Sequence, residues 1–145
     1  MTSKAQNAPA VVWQGADYPR VPPGDYQAVC TGWQGPEWIK RYRRWSFRAE
    51  FCLLSEGECV SAFFNMGSNK RGAHVGRRSR FYAFWCLANG EPPRKGQQMA
   101  WEVLTDDGLL YWVRVADKVQ DEKDETKPDA LVYSAVTEVL RVERK

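Results

Sequence analysis

Apolar and polar residues alternate most regularly over residues 44–53. Trp45, Phe47, Ala49, Phe51 and Leu53 share one parity, and Arg44, Ser46, Arg48, Glu50 and Cys52 share the other. Period-2 alternation of that length predicts a half-buried antiparallel strand. Glu56-Gly57 predicts a two-residue turn, followed by a third strand from Glu58 to Asn65 with Leu53 opposite Val60. In that register Phe63 lies on the outer side, opposite Glu50 and diagonal to Arg48. It is there either as a bare ring or as a ring covered by a helix or the N-terminal arm. Upstream, Pro22-Pro23-Gly24-Asp25 predicts a turn and Tyr26–Trp33 a first strand. Gln34-Gly35-Pro36-Glu37 breaks that strand, and a basic aromatic loop runs on to about Arg41.

The period then changes. Phe81, Phe84, Trp85 and Ala88 fall at i, i+3, i+4 and i+7, the apolar stripe of a helix from Arg80 to Ala88. Ser79 is placed to cap its start; Asn89-Gly90 and Pro92-Pro93 end it. Met99–Leu104 and Leu109–Ala116 predict a hairpin around Thr105-Asp106-Asp107-Gly108. Leu131–Leu140 predicts the last strand, with Arg141–Lys145 as a tail. The expected organisation is an irregular N-terminal arm over residues 1–22 and one domain over 23–145. A charged loop is expected at about 119–129, where Asp121, Glu122, Asp124 and Glu125 cluster.

Composition narrows the chemistry. The chain has 145 residues, 43% hydrophobic and 27% charged, a globular balance that can bury a core without disulfides or metal. No stretch reaches the length of about 20 apolar residues that a membrane helix needs. Met1–Asn7 lacks the apolar region of a secretory signal, so a cytoplasmic protein is expected, with no membrane partner. The single histidine, His74, excludes multi-histidine metal sites and lies in a basic loop where solvation is the simplest expectation. The four cysteines, Cys30, Cys52, Cys59 and Cys86, match no zinc spacing and read as small core hydrophobes in a reducing compartment. Cys52 and Cys59 flank a predicted hairpin, so a disulfide between them is the lesser alternative. Asp106 and Asp107 are explained by their turn, so no catalytic residue, metal or cofactor is expected.

Charge and aromatic residues together point to a ligand class. Residues 38–95 hold twelve basic and four acidic residues, while both flanks are net acidic. The chain carries seven Trp, six Tyr and six Phe, more tryptophan than one core of this size needs. The richest stretch, Trp33 to Trp45, interleaves Trp38 and Tyr42 with Lys40, Arg41, Arg43 and Arg44. Flat rings stack on unpaired bases and cations neutralise the phosphates between them, the needs of a single-stranded nucleic acid. Trp38, Tyr42 and Phe63 are expected to stack bases, with Trp33 a further nucleic-acid contact. Lys40, Arg41, Arg43, Arg44 and Arg48 are expected on phosphates, with Lys70, Arg71, Arg77 and Arg78 extending the track. Arg77, Arg78 and Arg80 crowd a helix N-terminus, where cations are disfavoured unless an anion is near. Trp, Tyr and Arg also dominate protein-binding hot spots, so a module that inhibits or recruits a host complex is the alternative.

Three strands, a helix and two or three further strands is the layout of an OB-fold: a mainly β, small antiparallel barrel with one helix between the third and fourth strands. An SH3-like barrel and a β-sandwich with one helix are the alternative architectures. The run Val21-Pro22-Pro23-Gly24-Asp25-Tyr26-Gln27-Ala28, leading into an aromatic-basic strand, resembles the opening of OB-like single-strand-binding proteins of phages and mobile elements. Arg80–Trp85 and Ala88–Arg94 resemble the helix and exit turn of small proteins on such elements. The resemblance spans residues 20–117. It implies a non-catalytic binder of single-stranded DNA, or RNA, acting in replication, recombination or transfer of a mobile element or phage. It also implies homo-oligomers through exposed strand edges and a host- or element-encoded protein partner. The chain departs from the bacterial pattern in ending Val142-Glu143-Arg144-Lys145 rather than in an acidic tail with a terminal aromatic. Its acidic run is internal, placed to shield a basic groove.

Overall fold

The structure is a computed structural model that describes residues 20–67, 72–118 and 132–144. Five antiparallel strands form one sheet: β1 (Gly24–Ile39), β2 (Arg44–Leu53), β3 (Cys59–Asn65), β4 (Leu109–Lys118) and β5 (Tyr133–Arg144). Among the described residues one α-helix, α1 (Arg80–Asn89), lies between β3 and β4 in sequence, and a 3₁₀ helix spans Trp101–Thr105. The spatial order is β3-β2-β1-β4-β5. Among the described residues no ladder joins β3 to β5, so the sheet is not closed into a barrel. The two edges nevertheless approach each other, and Arg80 donates to the Phe63 carbonyl on β3 at 3.1 Å and to the Val136 carbonyl on β5 at 3.5 Å.

The core lies between the inner face of the sheet and the helical segments. Phe47, Ala49, Phe51 and Leu53 of β2 are all buried, as the alternation requires. Phe81, Phe84, Trp85 and Ala88 of α1 are buried against them. Ser79 accepts the Tyr82 N–H at 3.1 Å, and Gly90 ends the helix at φ 91°, where only glycine is comfortable. Phe47 meets four rings at once: Trp33, Phe64, Phe81 and Trp101, with centroids 4.8–6.3 Å away. Such ring packing adds to the area that the rings bury.

Four expectations need correction. Gln34–Glu37 does not end β1, which continues to Ile39 through register shifts at Cys30/Gly32 and Gln34/Glu37. A bulge accommodates Pro36, which has no N–H to give to a ladder. The second bulge is tight: a side chain on Gly35 would stand 2.8 Å from the Ser46 carbonyl oxygen. Met99–Leu104 is not a strand, because side chains take its carbonyls. Trp85 Nε1 donates to Ala100 at 2.9 Å and the Tyr111 hydroxyl to Leu104 at 2.8 Å. β4 pairs instead with β1 and β5.

The third correction is the β2–β3 register, in which Phe51 rather than Leu53 faces Val60. A longer turn replaces the two-residue one: Gly57, at φ 69°, donates to the Leu53 carbonyl at 3.0 Å. The slip of two positions keeps every side chain on its expected face. It also sets Cys52 directly opposite Cys59, and the two form a disulfide rather than separate core thiols. Cys30 and Cys86 are free, and only Cys30 is buried. The fourth concerns the C-terminal residues. Arg141–Arg144 is strand rather than tail, and Arg144 donates to the Leu87 and Ala88 carbonyls at the end of α1, both at 3.0 Å.

Two predictions follow from the core. Phe47→Ala should lower the unfolding free energy by about 3–5 kcal/mol in a denaturant titration; a loss under about 1 kcal/mol would show that its four ring contacts do not hold the layers together. The second concerns pH. Burial pushes the Cys30 thiol up to about 12, and burial also holds the Tyr111 phenol well above its ordinary value. The unfolded chain releases these protons earlier, so it binds fewer protons than the native state on the alkaline side. Stability is therefore unaffected by them below about pH 8 and falls as pH rises from there toward about pH 12. Urea midpoints should drop along that range, and Cys30→Ala should shallow the slope; an unchanged slope contradicts a buried thiol.

Candidate functional site

The second-strand alternation that buries Phe47 and Phe51 also sets Arg44, Ser46, Arg48, Glu50 and Cys52 on the outer face of the sheet. Across the ladders, Gln34, Arg48 and Phe63 form one row over β1, β2 and β3. Gly32, Glu50 and Ser61 form the next, and the Cys52–Cys59 disulfide follows. Phe63 is thus directly opposite Arg48, closer than the diagonal placement expected. It is half-buried, with its carbonyl held by Arg80.

The same two strands run on into the β1–β2 hairpin. What sequence reading took for a loop is two paired strands, with Trp38 opposite Trp45 and Ile39 opposite Arg44. Trp38 and Trp45 meet edge to face at 5.6 Å, and both are half-buried. The tip is Lys40-Arg41-Tyr42-Arg43, closed by the Tyr42 N–H donating to the Ile39 carbonyl at 3.2 Å. Arg43 takes φ 53°, a left-handed conformation that turns the chain into β2. The guanidiniums of Arg41 and Arg44 lie over the Tyr42 ring, 5.6 and 5.0 Å from its centroid. Cation–π contacts of this kind organise charge without neutralising it. No acidic residue occurs between Trp38 and Ala49, while five cations do.

The opposite half of the sheet has a different electrostatic character. Arg114 on β4 pairs with Asp25 at 3.1 Å and Glu138 at 3.4 Å. The Asp25 hydrogen bond and charge raise the Arg114 pKa. Arg141 lies over Trp112, whose Nε1 donates to Glu143 at 2.8 Å. Cations there stand beside carboxylates, whereas Arg41 and Arg44 of the hairpin lie over a phenol ring.

The structure brings together Trp38, Lys40, Arg41, Tyr42, Arg43 and Arg44 at the hairpin, and Arg48 with Phe63 on the outer face further along β2. It brings neither Trp33 nor Trp38 to that face: Trp38 is opposite Trp45, on the side of β2 that carries Phe47. Trp33 is opposite Ala49 and packs on Phe47 and Trp101 at the core margin, 36% exposed. Arg77 and Arg78 are exposed just before α1. Arg80 instead lies across the edge strands, 5.2 Å from the Phe64 ring centroid, and partial burial lowers its pKa. The crowding of arginines there is thus partly structural. Lys70, Arg71 and the acidic run at 121–125 lie outside the described residues, as does most of the N-terminal arm. His74 is exposed, with its ring where a side chain on Gly67 would stand. Asp106 accepts the Gly108 N–H at 2.8 Å, the turn role expected of it. Glu50, Cys52 and Cys59 are close enough to share a metal ion, but in the disulfide the two sulfurs are not thiolate ligands.

Sequence reasoning missed Gln34 and Glu50, which flank a hollow in the outer face. The glycine at position 32, inside an otherwise strand-like run, was the available sign. No helix among the described residues is long and apolar enough to cross a membrane. No protein-family model matches the chain, and no curated protein matches it in sequence.

Proposed function

We propose that this protein is a non-catalytic binder of single-stranded nucleic acid, with DNA as its main ligand. The observation that carries the reading is the β1–β2 hairpin: five cations and no acid between Trp38 and Ala49, with arginines arrayed on the Tyr42 ring. The backbone of a single strand would cross Lys40, Arg41, Arg43, Arg44 and Arg48. Bases would stack on Tyr42 and on Phe63 at the outer face, with Trp38 offering a ring on the other side of the hairpin. Arg77 and Arg78 would extend the basic track from the start of α1. Duplex DNA hides its base faces, so stacking rings favour the single strand.

The architecture supports the same reading as an OB-like barrel. β1 pairs with both β2 and β4, the helix follows β3, and Arg80 bonds both edge strands. In that fold the β2–β3 face and the β1–β2 loop receive oligonucleotides. The resemblance of residues 20–117 to single-strand binders of phages and mobile elements suggests replication, recombination or transfer of such an element.

The test is anisotropy of labelled oligo(dT) and of a matched duplex at two salt concentrations. Binding to the single strand should be tighter and should weaken steeply with salt, as counterion release requires. Trp38→Ala combined with Arg43→Ala should weaken it at least about tenfold, the loss of one stacked base and one phosphate contact. Unchanged affinity in that variant, with an unchanged unfolding midpoint, removes the hairpin from the interface. Absence of binding to either nucleic acid, with a protein co-purifying in equal amount, favours the protein-binding module.

A further inference from the structure

The outer face of β1 and β2 contains a hollow of about 180 Å3, lined by Gly32, Trp33, Gln34, Arg48 and Glu50. Its origin is a missing side chain. Gly32 does not adopt a left-handed φ, and a Cβ built on it would meet no atom within 4 Å. Neither backbone geometry nor close packing requires glycine there. What glycine does is leave space opposite Glu50, beside the row that holds Gln34, Arg48 and Phe63. The Trp33 ring packs on the core side, against Phe47 and Trp101.

The walls are chemically opposed. Glu50 supplies a carboxylate whose Oε1 accepts from the Thr31 hydroxyl at 2.7 Å. Thr31 lies in the first β1 bulge, where the register jumps from Cys30 to Gly32. The bulge therefore helps hold the acceptor in place. Arg48 supplies a planar set of donors on the next row, and Gln34 an amide with both donor and acceptor.

We propose that this hollow is a nucleobase pocket that selects guanine; the proposal rests on the single-strand reading above. Guanine alone among the DNA bases presents two adjacent N–H donors, N1–H and the N2 amino group. A carboxylate accepts both, and a guanidinium donates to O6 or N7 at the other side of the ring. Adenine and cytosine place a ring acceptor beside their amino group, so a carboxylate gains one bond and meets one lone pair. Thymine offers one donor between two carbonyls. Phe63, opposite Arg48, is placed to stack the neighbouring base. The protein would then hold any single strand through the hairpin and prefer those that place a guanine at the hollow.

The test compares labelled oligo(dT) with the same oligonucleotide carrying one central dG, dA or dC. The dG strand should bind about fivefold tighter or more than all-dT, the lower end of what a bidentate base contact discriminates. The dA and dC strands should gain no such factor. Glu50→Gln should bring the dG-to-dT affinity ratio close to one. Gly32→Val, which fills the hollow at a site with room for a side chain, should do the same. Equal binding of all four strands overturns the pocket and leaves the single-strand reading intact. A dG preference that survives Glu50→Gln also overturns it. Binding of none of the strands overturns both readings.

Discussion

Phe47 is the contact on which the two halves of this structure depend. It projects from the middle of β2 and reaches rings from β1, β3, α1 and the 3₁₀ helix. Those contacts fix the covered face of the sheet. Strand geometry then dictates the rest, because neighbouring residues must point the other way. With Phe47 and Ala49 inside, Arg48 and Glu50 are outside. The polar chemistry of the outer face is thus a consequence of how the inner one packs.

A second division runs across the sheet. On β4 and β5 each outward arginine stands beside carboxylates or an indole already bonded to one. On the β1–β2 hairpin, Arg41 and Arg44 rest on Tyr42, between Glu37 and Glu50 in sequence. The two sides of the sheet therefore hold their cations in different ways. Arg80 illustrates the limit of counting charge along a chain. It belongs to the basic middle third, yet its guanidinium bonds strand carbonyls and lies by a phenyl ring.

Much of the fold was legible because it follows short periods. The β2 alternation, the helical stripe from Phe81 to Ala88, the Ser79 cap and the Gly90 stop all stand as the sequence predicts. What was illegible depended on partners far along the chain. Pro36 signals a break unless a bulge absorbs it, and the bulge needs β2 alongside. Trp101 and Val103 mimic a strand until Trp85 and Tyr111 take the neighbouring carbonyls. The β2–β3 slip by two was invisible to parity, although it decides that Cys52 meets Cys59 and Arg48 meets Phe63. Of the candidate site, the hairpin cations and rings were readable as a cluster. The separation of Trp33 from Arg48, and the hollow at Gly32, needed the bulged register of β1.

The central claim is that the β1–β2 hairpin and the outer face of β2–β3 form the ligand surface. Backbone hydrogen exchange, measured with and without saturating oligo(dT), tests it most directly. The account predicts slowed exchange over residues 38–48 and 59–65, with β4 and β5 unchanged. Protection confined to β4 and β5, or saturation with no protection at the hairpin, would contradict it.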